Sequence, residues 1–218
     1  MKFYRNNWYR LTIIAFIFLA FYMIFWGYQT LSPIQIILTS SFMALLIHQF
    51  EEYVFPGGAP PIINIATFNE KTNFRNYPGN MQSSMFVNNL AYVVYISAII
   101  FPELIWFGLA TMFFNLFQFI GHGLQMNKAL KTWYNPGLAS VVFLFIPISI
   151  YYMVFITENN LTTIWDWIFG AIAFVVTLIV TTILPVQLLK DKNSPYVVPE
   201  WQIQQFEKVK RIASLTKK

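Results

Sequence analysis

The sequence contains no cysteine and few charged residues, and each deficit excludes a class of protein. Without cysteine, the chain has no disulfide bonds and no thiolate metal sites. Only 11% of the 218 residues are charged and 57% are hydrophobic, whereas a soluble domain carries about 25% charged residues. The composition therefore indicates an integral membrane protein, and the lipid bilayer is the first partner that we expect.

Six apolar segments are long enough to cross a bilayer, which takes about 20 residues. They cover residues 9–29, 34–54, 84–101, 104–126, 137–157 and 164–189. The predicted fold class is all-α, a polytopic membrane bundle of six transmembrane helices within residues 1–189. A basic tail, residues 190–218, follows this domain.

The lysines and arginines predict the orientation of the bundle. All of them fall in the tail, the N-terminus or the second and fourth connectors, so a six-helix chain places them on one side. By the positive-inside rule that side is the cytoplasm, and both termini should lie there, as in a bacterial-type inner or plasma membrane protein. Because topology explains the net charge of +5, we expect no nucleic-acid partner.

Two stretches outside the spans have open interpretations. Residues 55–83 are rich in Pro, Gly and Asn, and fit either a functional lid or a plain connector. The tail predicts an amphipathic interfacial helix whose apolar face points to lipid, with a frayed soluble tail as the alternative. The predicted face comprises Trp201, Ile203, Phe206 and Val209.

The stretch LIHQFEEYVF, residues 45–54, places ionisable side chains at the end of the second span. His48, Glu51 and Glu52 have the spacing i, i+3, i+4 and share one helix face. A charged side chain at the bilayer centre costs about 2.5–3.5 kcal/mol, so this face should point into the bundle. His122, the other histidine of the chain, lies in the fourth span.

The predicted topology brings more polar side chains to the depth of these residues, one or two turns below the cytoplasmic interface. We expect them to act as second-shell partners or to bind substrate. They are Asn88, Asn89, Asn115, Gln118, Tyr134 and Asn135. Each of them alone is also explained by packing between helices or by a turn.

Two imidazoles with one or two carboxylates match a zinc site with an open position, or a 2-His-1-carboxylate iron site. We therefore predict a divalent metal, zinc in preference to iron, with His48, Glu51, Glu52 and His122 as candidate ligands. The inner carboxylates are too few for a di-iron bundle of the ferritin type. His48, Glu51 and Glu52 are also the candidate catalytic residues, one glutamate acting as general base.

The stretch HQFEE, residues 48–52, resembles the defining motif of the HXXEE-domain family of membrane proteins. The later FQFIGHG and YNPG stretches support the resemblance. The family consists of multi-spanning proteins of unknown function. Because the motif defines the family, the resemblance implies that His48, Glu51 and Glu52 are functional residues. It supplies no substrate.

The leading functional hypothesis is a membrane-embedded, metal-dependent enzyme of hydrolase or oxidase type that acts on a lipid-like, amphipathic or other small-molecule ligand. The alternative is a transporter coupled to protons or cations that uses the same residues. The outer halves of the spans are apolar and no internal repeat is visible, which disfavours a transporter. A third hypothesis is a structural or regulatory membrane subunit.

Overall fold

The computed structural model describes residues 2–216, and in that range the chain is all-α, with six long helices and two short ones. The last two residues of the predicted tail, 217 and 218, lie outside the described residues. The helices are α1 Phe3–Thr30, α2 Pro33–Tyr53, α3 Pro60–Ala66, α4 Met81–Ile100, α5 Ile105–Leu130, α6 Leu138–Glu158, α7 Ile164–Leu189 and α8 Glu200–Ile212.

The six long helices are apolar enough to cross a membrane. Their outer surfaces carry large exposed apolar side chains, such as Phe18, Phe143 and Ile164. A soluble protein rarely exposes apolar surface of this extent, whereas lipid covers it favourably. The predicted all-α bundle with six membrane-spanning helices is thereby confirmed, while the cytoplasmic side of the termini stays a prediction.

Wide π-helical turns interrupt four of the long helices, and two of these turns have a clear cause. They are Met23–Gly27, Ile120–Met126, Val141–Phe145 and Ile179–Ile183. Pro147 and Pro185 follow the last two turns within two residues. Proline lacks an N–H and clashes with the carbonyl four residues earlier, so the helix widens before it.

One end of the bundle, which we call the site end, contains the last turns of α2, α5 and α7 and the first turns of α4 and α6. The 55–83 segment and α8 cover it. Gln202 of α8 donates to the Tyr53 carbonyl at 2.7 Å and accepts from the Gly58 amide at 2.5 Å. Gly58 has φ +94°, and a Cβ there would lie 2.5 Å from the Phe206 nitrogen. Only glycine permits this approach between α8 and the chain that leaves α2.

Protein, not lipid, covers the apolar face of α8. Ile203, Phe206 and Val209 are buried, and Phe206 packs against Ile62 of α3 and Met126 of α5. Ile203 packs in a second group, with Tyr53 of α2 and Met81 of α4. The sequence pattern identifies the amphipathic helix, but contact with other helices replaces the lipid contact expected for these side chains. An interfacial position for the rest of α8 stays a prediction.

The opposite half of the bundle has an apolar core. Its members come from α2, α4, α5 and α6 and are almost inaccessible to solvent. They are Ile37, Leu38, Ala98, Ile105, Leu109, Met112, Tyr152 and Ile156. Burial at this density holds the helices at fixed distances below the polar site end.

Candidate metal centre

Three ionisable side chains meet between α2 and α5, and we call them the His/Glu cluster: His48, Glu52 and His122. His48 and Glu52 are one turn apart on α2, and His122 lies in the wide turn of α5. Glu52 Oε1 is 3.7 Å from His48 Nε2 and 3.4 Å from His122 Nε2. Both imidazoles are buried, at 3% and 2% exposure. One ligand atom from each side chain lies within 4.8 Å of the others, so the cluster could hold a metal ion.

Asn135 fixes the orientation of the His122 ring. Its amide nitrogen donates to the His122 carbonyl and to Asn127 Oδ1, both at 2.7 Å. The amide oxygen therefore faces His122 Nδ1, at 2.7 Å, and must accept a proton from it. With Nδ1 as the donor, Nε2 of a neutral His122 carries the lone pair.

The start of α6 fixes the His48 ring in the same way. His48 Nδ1 is 3.2 Å from the Gly137 carbonyl and 2.9 Å from Ser140 Oγ. The carbonyl can only accept, and the Ser140 hydroxyl proton is directed to Glu51 Oε2 at 2.6 Å. His48 Nδ1 is therefore the donor, and Nε2 again carries the lone pair.

Both imidazole lone pairs consequently face the Glu52 carboxylate. Electron-rich atoms at these distances repel one another unless a cation, a proton or a metal ion, lies between them. In a tetrahedral zinc site with ligands at about 2.0–2.1 Å, neighbouring ligand atoms are about 3.3 Å apart. The observed separations of 3.4 and 3.7 Å are close to that spacing. The third separation, between the two imidazoles, is within 4.8 Å.

Glu51 has different surroundings from Glu52. Its two oxygens accept four hydrogen bonds, from the Tyr134 hydroxyl, the amides of Ala139 and Ser140, and the Ser140 hydroxyl. The two amides belong to the first turn of α6, where helix N–H groups lack partners within the helix and favour a negative charge. Glu51 thus anchors α6 to α2 at the depth of the cluster.

Tyr134, in the connector before α6, supports this anchor. Burial, together with the neighbouring Glu51 carboxylate, raises the pKa of the Tyr134 phenol well above its ordinary value. The phenol therefore stays protonated at every pH at which the protein works. It remains a donor to Glu51, over 2.8 Å.

Gly137 brings the start of α6 against both imidazoles. Its φ is +105°, a conformation that favours glycine, and a Cβ there would lie 2.4 Å from His122 Cε1 and 2.9 Å from His48 Cε1. Any side chain at this position would displace the two rings.

The other residues predicted for the site lie in three places. Asn88 contacts the Tyr53 hydroxyl and Asn89 contacts Tyr4. Asn115 is fully buried and bonds Ser41 and Tyr95, deeper in the bundle. These three asparagines tie helices together, as membrane-buried amides often do. Gln118 lines a cavity that Glu52 also lines.

This cavity has a volume of about 450 Å³ and lies between α2, α3, α4, α5 and α7. Its walls are mainly apolar, with Val87, Phe117 and Leu178 among them, and glutamine side chains add polar groups. The volume falls in the range of about 300–1,000 Å³ typical of small-molecule sites. The His/Glu cluster therefore adjoins a cavity through Glu52.

The sequence interpretation missed two residues of the site, Ser140 and Gly137. Ser140 connects Glu51 to His48, but a serine in an apolar helix gives no signal of its own. Gly137 was visible in YNPG, where a turn explained it sufficiently. Only the packing of α6 against α2 and α5 shows what both residues contact.

Comparison with known proteins gives one match. Residues 39–152 match the family described as "Protein of unknown function with HXXEE motif". The matched range contains the whole His/Glu cluster, Glu51 and the start of α6, and it exceeds half of the chain. No curated protein and no solved structure matches the chain. The family expected from HQFEE is confirmed: the chain belongs to the HXXEE-motif family of proteins of unknown function.

Proposed function

We propose that this protein is a membrane-embedded, metal-dependent enzyme whose centre is the His/Glu cluster. The observation that supports it most directly is the convergence of two Nε2 lone pairs on the Glu52 carboxylate. Two imidazoles and one carboxylate form the ligand set of zinc sites that keep one position open for water or substrate. Zinc is the favoured metal. Iron is the second choice, because the same set is the facial triad of iron oxygenases.

Glu52 and Glu51 have separate roles in this proposal. Glu52 is the carboxylate ligand, together with His48 and His122. Glu51 is a positioning residue, because four hydrogen bonds occupy its two oxygens, and it acts on His48 through Ser140. Outer partners of this kind orient metal-binding imidazoles and raise their basicity.

The cavity beside Glu52 supports a lipid-like or amphipathic substrate. Its apolar walls suit an acyl chain, and its glutamine amides suit a polar group near the cluster. A divalent metal polarises a carbonyl or activates water for hydrolysis, while iron would support oxidation. The reaction would be a hydrolysis by water if the metal is zinc, and an oxidation by dioxygen if it is iron(II).

The alternative functions have weaker support. A transporter needs polar positions through to the far side, whereas the half of the bundle remote from the cluster contains the apolar core around Leu109 and Tyr152. A purely structural subunit would not explain why two buried imidazoles converge on Glu52, the side chain that also lines the cavity. We also propose that the site end faces the cytoplasm, since the lysines and arginines belong to that end.

The test is a reaction with membrane lipids under controlled metal content. The chain in lipid nanodiscs is stripped with a chelator, reloaded with zinc or iron(II), and incubated with a lipid extract whose products are identified by mass spectrometry. We expect a product only from the metal-loaded wild type, with no product from His122→Ala. Asn89→Ala is the matched control, since Asn89 bonds Tyr4 away from the cluster.

Equal product from the stripped protein, or from His122→Ala, would contradict the proposal. Absence of lipid turnover, combined with cation or proton uptake into proteoliposomes that Glu52→Gln abolishes, would favour the transporter instead.

A further inference from the structure

The helices α5 and α7 are close together at one end and separate at the other. A Cβ at Gly170 of α7 would lie 2.8 Å from the Leu109 Cβ of α5, and Phe174 packs on Phe113 and Phe117. Beyond this point the last turns of α7 contact α4. The change of direction coincides with the wide turn before Pro185.

Exposed side chains line the cavity beside Glu52 in the gap between α5 and α7, and we take this gap as its mouth. Phe117 and Gln125 of α5 line it, with Ile183 and Gln187 of α7, and all four are exposed. Phe117 and Ile183 lie deeper in the spans, while both glutamines lie near the site end. Because both helices span the membrane, the mouth faces the bilayer. Its side chains are apolar at the depth of the acyl chains and polar at the depth of the headgroups, as one leaflet of the bilayer is.

We propose that a neutral amphiphile with a single acyl chain enters this cavity sideways from the bilayer, between α5 and α7. The polar end lies at Gln118 and Gln125 beside Glu52, and the chain extends along Phe117 and Ile183. This inference rests on the proposed function, since it names the substrate class of the same site.

The composition of the cavity restricts the class of amphiphile. Among the described residues that line it, Glu52 is the only one of a charged type, and neither lysine nor arginine is present. Protein sites for phosphate use arginine or lysine, so a phospholipid headgroup lacks its usual partners here. Glutamine amides suit a neutral acyl ester or amide. A volume of about 450 Å³ suits one acyl chain better than the two of a diacyl lipid.

Gly121 provides a direct means of closing the cavity. It lines the cavity, and a Cβ built on it meets nothing within 4 Å, so it opens onto empty space. A leucine at this position would occupy the cavity beside Glu52 and has a better helix propensity than glycine. Ile120, the preceding residue, is exposed on the outer surface and serves as the matched control.

The experiment uses a palmitoyl monoacylglycerol that carries a diazirine in its chain and an alkyne for detection. Nanodiscs containing the wild type, Gly121→Leu or Ile120→Phe are irradiated, and labelled peptides are identified by mass spectrometry. We expect labels on α5 near Phe117 and on α7 near Ile183. Gly121→Leu should lower them about tenfold, as small steric changes in apolar pockets do, while Ile120→Phe leaves them unchanged.

A second variant covers the case in which Gly121→Leu does not fold. The chain has no cysteine, so Gly121→Cys introduces a single thiol. Monoacylglycerol should slow its reaction with a maleimide, and lysophosphatidylcholine at equal concentration should slow it much less.

Two outcomes would overturn the inference: labels spread over the whole lipid-facing surface, or labels in the cavity that Gly121→Leu does not reduce. If both amphiphiles slowed the maleimide reaction of Gly121→Cys equally, the preference for a neutral amphiphile would be overturned. Metal content measured in the same samples separates this test from the proposed function. Labelling in the cavity of a protein without metal would support the lipid site and contradict the metal-dependent enzyme. Bound metal without labelling in the cavity would support the metal centre and contradict the lipid site.

Discussion

The two sides of α2's last turn differ in hydrogen bonding, although Glu51 and Glu52 are adjacent in the chain. On the α6 side, Glu51 accepts four hydrogen bonds and its charge is compensated by a helix N-terminus. On the α5 side, Glu52 faces two imidazole nitrogens that present lone pairs. One carboxylate has its hydrogen-bond donors within the protein, and the other faces acceptor atoms that a cation could bridge.

Under the proposed function, this difference separates a structural charge, on Glu51, from a functional one, on Glu52. A buried carboxylate with enough donors stabilises a helix junction and needs nothing else. A partly buried carboxylate opposite two acceptors is stable only with a proton or a metal ion. The motif HQFEE contains both kinds, and hydrogen-bond partners from α5 and α6 decide which glutamate is which.

Removing an imidazole from the Glu52 side should have the largest effect. His122→Ala is expected to lower zinc affinity by at least about a hundredfold, because loss of outer partners alone costs about 10–100-fold. Competition with a fluorescent zinc chelator in detergent measures it. His122→Ala with unchanged zinc affinity would remove His122 from the ligand set.

Removing the negative charge of Glu51 should mainly lower the free energy of unfolding. Glu51→Gln keeps the shape but loses the charge and leaves part of its donors unpaired. We expect a loss of about 2–3 kcal/mol, which for a chain of this size lowers the melting temperature by about 5–10 °C. Thermal unfolding in detergent is the measurement. If stability were unchanged and the bound metal lost, the roles of the two glutamates would be exchanged.

A side chain at Gly137 should affect both sides at once. Gly137→Ala puts a Cβ into a left-handed conformation and against both rings, so about 2 kcal/mol of stability and part of the zinc affinity should be lost. Gly121→Ala, where the added Cβ meets open space, is the matched control and should not destabilise. Equal stability and equal zinc affinity of the two alanine variants would show that the imidazoles do not depend on the close contact with Gly137.

Loosening the His122 ring should have a smaller effect. Asn135→Ala removes the acceptor for His122 Nδ1, and zinc affinity should fall about tenfold, as for other outer partners of metal ligands. Titration calorimetry can resolve this change. An unchanged affinity would mean that Nδ1 does not need this acceptor.

The smallest effect is expected far from either carboxylate. Asn89 bonds Tyr4 and the Met85 carbonyl, both outside the cluster. Asn89→Ala should change stability by less than about 0.5 kcal/mol and leave metal binding unchanged. A large loss of metal in this variant would show that the cluster extends to the start of α4.

The sequence predicted the helical architecture and the depth of the candidate ligands because hydropathy and helix spacing encode them. His48 and Glu52 share a face by their i, i+4 spacing. The second and fourth spans end on the same side of the membrane, which brings His122 to their depth. The contact between α2 and α5 could not be predicted, since hydropathy does not give the order of helices around a bundle. The same limit hid Ser140, and it left Asn115 indistinguishable from a site residue although it bonds Ser41 and Tyr95.

The most direct test of the metal centre is the metal content of three proteins purified without chelators: the wild type, Glu52→Gln and Glu51→Gln. Plasma mass spectrometry measures zinc and iron per chain. We expect about one metal ion in the wild type and in Glu51→Gln, and almost none in Glu52→Gln, since a neutral amide is a poor ligand beside two imidazoles. A wild type without metal, or a Glu52→Gln variant that keeps it, would contradict the assignment of the His/Glu cluster as a metal site.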